Sequence, residues 1–142
     1  VEKTEPGFFF SPKTGFLILF CLFWLAGTPK ALELGPKIRA SFAKAYKEGV
    51  KIAFGTDAGV YKHGLNWLEF VKMIDAGMKP MDAIKSATVN AADLLGEKDK
   101  LGSIEVGKMA DIVAVDGDPL KDSQVFGKVI FVMKDGVVYK NQ

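Results

Sequence analysis

Histidine and cysteine, the side chains that most often hold zinc, are nearly missing from this sequence. Its 142 residues include one of each, His63 and Cys21. A lone cysteine excludes an intrachain disulfide and any Cys-rich metal site. Cys21 lies in Phe20-Cys21-Leu22-Phe23 with no basic neighbour in sequence to lower its pKa, so it reads as a small core hydrophobe. An excess of either charge is also lacking. The 19 basic and 17 acidic residues are interspersed, net +2, with no dense Lys/Arg cluster among aromatics. That balance offers no field suited to nucleic acid and argues against it as a partner. No apolar run reaches the roughly 20 residues that span a bilayer. The unbroken stretch Phe16 to Ala26 has eleven. What remains is the composition of an ordinary folded domain, 49% hydrophobic and 25% charged.

Residues 1–28 stand apart from the rest. Phe8-Phe9-Phe10 and Ser11-Pro12-Lys13-Thr14-Gly15 precede the apolar run, and Gly27-Thr28-Pro29 breaks the chain after it. Three readings stay open. Residues 8–27 could act as a signal or membrane anchor, with Lys13 before the run and the small Ala26 and Gly27 behind it. Val1 in place of Met, and the acids Glu2 and Glu5, argue against that. The run could instead be a buried strand or helix of the fold, or sequence foreign to it. A working signal or anchor would make the chain secreted or membrane-associated; otherwise it would be cytoplasmic.

Beyond Pro29 the pattern is α/β. Ile38, Phe42, Ala45 and Tyr46 recur at helical spacing between Lys37 and Lys47, with Gly49 as a stop. A strand is predicted over Val50–Phe54. Trp67, Phe70, Val71 and Ile74 form a second helical face that ends at Gly77. Pro80 starts a third helix, where its missing N–H does least harm, with Met81, Ile84 and Ala87 turned inward. Asn90 is expected to cap a short turn from Ala91 to Leu95, closed by Gly96. After Leu101 the period becomes strand-like. Ala110–Val115, Val129–Met133 and Val137–Tyr139 are predicted strands, the last two joined by the hairpin signal Lys134-Asp135-Gly136. Asp111 and Asp118 are expected to shape turns and strand ends.

The chemistry-bearing stretch is Gly55-Thr56-Asp57-Ala58-Gly59, where an apolar strand ends in an acid flanked by glycines. Parallel α/β folds place their chemistry at the carboxyl ends of strands. An acid there can equally cap the next turn through its own backbone N–H groups. The words His63-Gly64-Leu65-Asn66 and Glu69-Phe70 follow, then Ala76-Gly77-Met78-Lys79-Pro80, Ala87-Thr88-Val89-Asn90-Ala91-Ala92 and Leu101-Gly102-Ser103-Ile104-Glu105-Val106-Gly107. In this order and spacing, from about Pro29 to Lys140, the chain resembles the metal-dependent amidohydrolase superfamily. The likeness is to its imidazolonepropionase-like and Xaa-Pro or Xaa-Arg dipeptidase branch.

The resemblance implies a partial (β/α)8 barrel over residues 29–100 and strands of a small β-sandwich over 101–142. It implies hydrolysis of an amide, cyclic amide or dipeptide C–N bond by metal-activated water. Asp57 would be both metal ligand and catalytic proton carrier, with His63 and Asn66 contacting a small-molecule or dipeptide substrate. Asn66 could instead cap the helix at Trp67, Glu69 sits at capping-box distance from it, and His63 could be a solvated loop imidazole. The family's divalent metal, zinc as a rule, needs a His-x-His pair and two later histidines. One histidine and one carboxylate cannot assemble that shell. A whole barrel needs roughly 200 residues or more. The expectation is therefore a carboxyl-terminal portion that binds no metal by itself. A catalytically inactive remnant is the alternative, and apolar surface left uncovered would favour association with other chains.

Overall fold

A computed structural model describes residues 2–5, 8–11, 16–20, 29–56 and 62–142, with side chains from Glu33 onward. Strands β1 (Glu2–Glu5), β2 (Phe8–Ser11), β3 (Phe16–Phe20) and β4 (Lys51–Gly55) form one sheet in that order. β3 and β4 run parallel, from Phe16 opposite Lys51 to Phe20 opposite Gly55. Parallel neighbours need a crossover long enough to bring the chain back, and helix α1 (Pro29–Lys47) lies between them in sequence. β2 is antiparallel to both β1 and β3. The connections there are too short for anything but reversal, so the sheet is mixed rather than all parallel. Part of the apolar run is thus a strand, while Cys21 falls outside the described residues.

Helix α1 begins at Pro29, eight residues before the periodic face suggests, and continues through Pro36. Gly49 ends it in the left-handed region at φ +79°. The Gly49 N–H donates to the Tyr46 carbonyl and the Val50 N–H to that of Ala45, each at 3.0 Å, a Schellman closure that turns the chain straight into β4. Ile38 and Phe42 from α1, Ile52 from β4, and Met73, Met78 and Ala83 beyond it make one buried cluster.

Helices α2 (Leu68–Asp75), α3 (Pro80–Ala87) and α4 (Val89–Leu94) follow. Pro80 occupies the first turn of α3 as expected. The buried face of that helix is different from the one expected. Ala83 and Ser86 have no exposed surface, whereas Met81 is 44% exposed. Small side chains let α3 come close to the sheet, and the Ser86 hydroxyl is satisfied by the Ala83 carbonyl at 2.6 Å. Asn90 does not cap a turn either. It lies inside α4, and its Nδ2 donates to the Ile52 carbonyl of β4 at 3.0 Å.

The remaining strands, β5 (Ile112–Val115), β6 (Val129–Lys134) and β7 (Val137–Asn141), form an antiparallel sheet in that order. Asp135 at φ 50° and Gly136 at φ 76° make the two-residue β6–β7 turn, whose twist suits paired strands. The Asp111 carboxylate accepts from the Asp135 N–H at 2.8 Å and the Lys134 Nζ at 2.7 Å. Those two donors hold it below the usual carboxylate range. Asp118 accepts from the Leu120 N–H at 3.0 Å, so both acids shape turns as expected. Leu95, Ile104, Val106, Val113 and Tyr139 are exposed. A groove of about 540 Å³, lined by Ile84, Leu95, Leu101, Ile104, Met109 and Val113 among others, runs between α3–α4 and the second sheet.

Gly102 fixes how that second sheet meets the helices. At φ +88°, a Cβ there would lie 2.8 Å from Ala92 Cβ, 2.9 Å from the Thr88 carbonyl oxygen and 3.1 Å from Val89 Cα. Gly102→Ala combines left-handed strain with a backbone clash and is expected to destabilise by about 3 kcal/mol in urea unfolding. Gly96 has a similar φ of +74° but nothing within 4 Å of a built Cβ. Gly96→Ala is expected to lose only the strain, about 1 kcal/mol.

Candidate active site

The carboxyl end of β4 is assembled from three elements. Ile52 and Ala53 are buried along β4, and Thr56, the next residue after the strand, is 9% exposed. Asp57 and Tyr61 lie outside the described residues. The chain is described again from Lys62, passes the exposed His63, and turns at Gly64 with φ +90°. At Asn66 it returns to the strand: Asn66 Nδ2 donates to Thr56 Oγ1 at 2.8 Å.

Asn66 is therefore not the helix cap. Helix α2 starts at Leu68 with Trp67 as its N-cap and no side-chain cap bond. Its side chain is turned instead towards the buried Thr56 hydroxyl, ten residues away. Glu69 loses its capping-box role with it, and is 1% exposed inside α2. The Glu69 N–H donates to the Asn66 carbonyl at 3.1 Å, so backbone and side chain of Asn66 tie α2 to β4 together.

A stack of three rings holds this end of the molecule in place. Phe54 of β4 and Phe70 of α2 have centroids 4.4 Å apart. Phe70 lies 4.4 Å from Phe126, which belongs to a 3₁₀ turn at Ser123–Gly127. Trp67 closes the contact, its indole so near Gly127 that a Cβ there would lie 2.8 Å from the ring. Offset stacking of this kind adds about 1 kcal/mol per pair beyond simple burial. The sequence shows Phe54, Phe70 and Phe126 as separate apolar positions. Nothing in their spacing announces the stack.

At the opposite end of β4 a cavity of about 160 Å³ is lined by Tyr46, Lys51, Asp82, Lys85 and Asn90 among others. Its polar groups pair with one another. Tyr46 Oη donates to Asp82 Oδ2 at 2.6 Å, and burial, followed by that bond, pushes the phenol pKa up. Lys51 binds the Asp93 carboxylate and pulls its pKa down. Lys51 is the exposed polar residue of an otherwise largely buried strand.

No helix among the described residues is long and apolar enough to cross a membrane. Nor do three or more His, Cys, Asp or Glu side chains among them gather where they could hold a metal ion. The donors among the described residues do not make up a zinc shell of three or four ligands. Its one histidine is exposed on a loop, the Asn66 amide is engaged by Thr56, and Glu69 is enclosed in α2.

Comparison with known proteins shows the family of the chain. The Amidohydrolase family profile matches residues 20–139. The chain belongs to the amidohydrolase family. Ochratoxinase from Aspergillus niger is 37% identical over 105 residues, covering 70% of this chain and 22% of that enzyme. An imidazolonepropionase from Fusobacterium nucleatum is 41% identical over 76 residues, 51% of this chain and 18% of the relative. Among solved structures, a Xaa-Pro dipeptidase with methionine bound in its active site superimposes with a TM-score of 0.76 and 57% identity. That match covers 80% of this chain and 28% of the dipeptidase. The chain spans about a fifth of the length of these curated amidohydrolases.

Proposed function

We propose that this chain supplies the last strand–helix units of a (β/α)8 barrel, residues 29–100, and β-sandwich strands, residues 101–142, to a metal-dependent hydrolase. The substrate class is a dipeptide, and the bond cleaved is its C–N bond. The observation that carries this reading is the 57% identity and shared backbone with a Xaa-Pro dipeptidase over four fifths of the chain. In this reading β4 is the final barrel strand and Asp57 the acid at its carboxyl end. Its carboxylate takes a proton from the attacking water and returns it to the leaving amine. His63 and Asn66 lie on the loop that would face the substrate. Because the donor set here is too small, the remaining metal ligands come from polypeptide outside these 142 residues. The uncovered groove beside α3–α4 and the exposed face around Val113 are where such polypeptide would pack.

A hybrid enzyme tests the reading. Residues 29–142 replace the matching segment of the Xaa-Pro dipeptidase, and hydrolysis of Xaa-Pro dipeptides is measured. A folded hybrid is expected to keep kcat/KM within about tenfold of the parent, because the two share their backbone over this segment, whereas a misplacement of about 1 Å would lose about a hundredfold. A hybrid that folds and binds metal but cleaves no dipeptide would overturn it.

A further inference from the structure

We propose that strands β1 and β2 are a built-in block to assembly. They occupy the edge of β3 where a barrel would place its preceding parallel strand, and they keep the complementing polypeptide off that side. The inference rests on the hydrolase reading above, in which β4 is the final barrel strand and further strands come from outside these 142 residues. Three observations carry it. β3 pairs parallel with β4 from Phe16 opposite Lys51 to Phe20 opposite Gly55, with α1 between them in sequence, so β3 stands in the next-to-last place of a barrel. β2 runs along the other side of β3 in the opposite direction, from Phe8 opposite Leu19 to Ser11 opposite Phe16. β1 then covers β2, again antiparallel, which gives the order β1-β2-β3-β4.

The topology has a direct consequence for the partner. Barrel strands are all parallel, and each is flanked by another on both sides. Four residues lie between Ser11 and Phe16, too few for the crossover of about a dozen that parallel pairing needs. β2 therefore cannot serve as a barrel strand, yet it takes the backbone donors and acceptors on that side of β3. An incoming strand gains them only after β2 has left. A bare strand edge invites pairing with other chains, so the pair that shields this chain by itself also opposes its assembly. The apparent affinity for the complementing polypeptide falls with the fraction of chains in which β2 is detached.

Binding of the full chain to the Xaa-Pro dipeptidase, ended before its penultimate barrel strand, tests the block. Phe9→Pro removes one ladder hydrogen bond from β2, which lies between β1 and β3 and has no open side to spare it. This variant is expected to bind the shortened dipeptidase about tenfold more tightly than the parent chain, because its β2 leaves β3 about tenfold more often. Phe9→Val keeps the N–H and a strand-forming side chain, and behaves as the parent. Hydrogen exchange followed by mass spectrometry is expected to quicken at amides 16–20 in Phe9→Pro alone and to stay constant in α3 and in β6–β7. Equal binding by parent and Phe9→Pro, weaker binding by Phe9→Pro, or unchanged exchange at 16–20 would overturn the block. So would failure of every form to bind while the hybrid enzyme, which lacks residues 1–28, is active. An inactive hybrid together with tighter binding by Phe9→Pro would sink the hydrolase reading and spare the block. No binding and an inactive hybrid would sink both.

Discussion

Asp57→Ala in the hybrid enzyme is expected to lower kcat/KM for a Xaa-Pro dipeptide by about 10²–10⁴-fold, the range that a lost proton-transfer group accounts for. Most of the loss should fall on kcat, because the proton moves in the reaction itself and not in substrate binding. His63→Ala is the useful comparison. His63 is exposed on the same loop, and a substrate contact there should act chiefly on KM. Steady-state kinetics on the two variants, with circular dichroism to verify folding, separates the roles. A hybrid that tolerates Asp57→Ala within tenfold would remove the acid from the chemistry.

Phe42→Ala is expected to destabilise the chain by about 3–5 kcal/mol in urea unfolding. Phe42 has no exposed surface and lies in the cluster with Ile38, Ile52, Met73, Met78 and Ala83, where helix α1 meets β4 and the helices that follow. Removing its ring leaves a cavity that touches every one of those elements, so little of it can be closed by local collapse. The loss is a large share of the about 5–15 kcal/mol that a domain has in all. Val113, which is 62% exposed on β5, gives the contrast. Val113→Ala should stay within about 0.5 kcal/mol. Equal effects at the two positions would mean that the cluster is not the core.

What could be read from the sequence was what short-range chemistry decides. Asp135-Gly136 places two residues at positive φ between apolar strands, and the β6–β7 hairpin follows from that alone. Gly49 stops α1, and Pro80 opens α3, for reasons that lie within a few residues. The errors arose where a distant partner outbid a local one. Asn66 and Asn90 are both good caps by type, yet their side chains are turned to distant groups, Asn66 Nδ2 donating to Thr56 Oγ1 and Asn90 Nδ2 to the Ile52 carbonyl. Neither acceptor is near in sequence. On α3, hydrophobicity favoured Met81 as the inward residue. The close approach of the helix to the sheet instead selects the small Ala83 and Ser86, a steric requirement that a hydropathy pattern does not register.

The amino-terminal segment shows the same limit from another side. An apolar run such as Phe16 to Ala26 has one composition whether it enters a membrane, a sheet or neither. Pairing with β4 gives Phe16–Phe20 a place, because a parallel neighbour satisfies its backbone groups and α1 can return the chain. Asp57, His63 and Asn66 stand in family order as a word pattern, and their roles rest on the proposed function. The ring stack of Phe54, Phe70 and Phe126 depends on three elements meeting and is written in no local pattern.

The proposed function requires that this chain hold too few donors for a metal of its own. Zinc content of the purified 142-residue chain, measured after incubation with zinc and dialysis against a weak chelator, tests that most directly. The expected result is well under one ion per ten chains, the same for the parent and for Asp57→Ala. One zinc per chain, kept through dialysis and lost in Asp57→Ala, would contradict it.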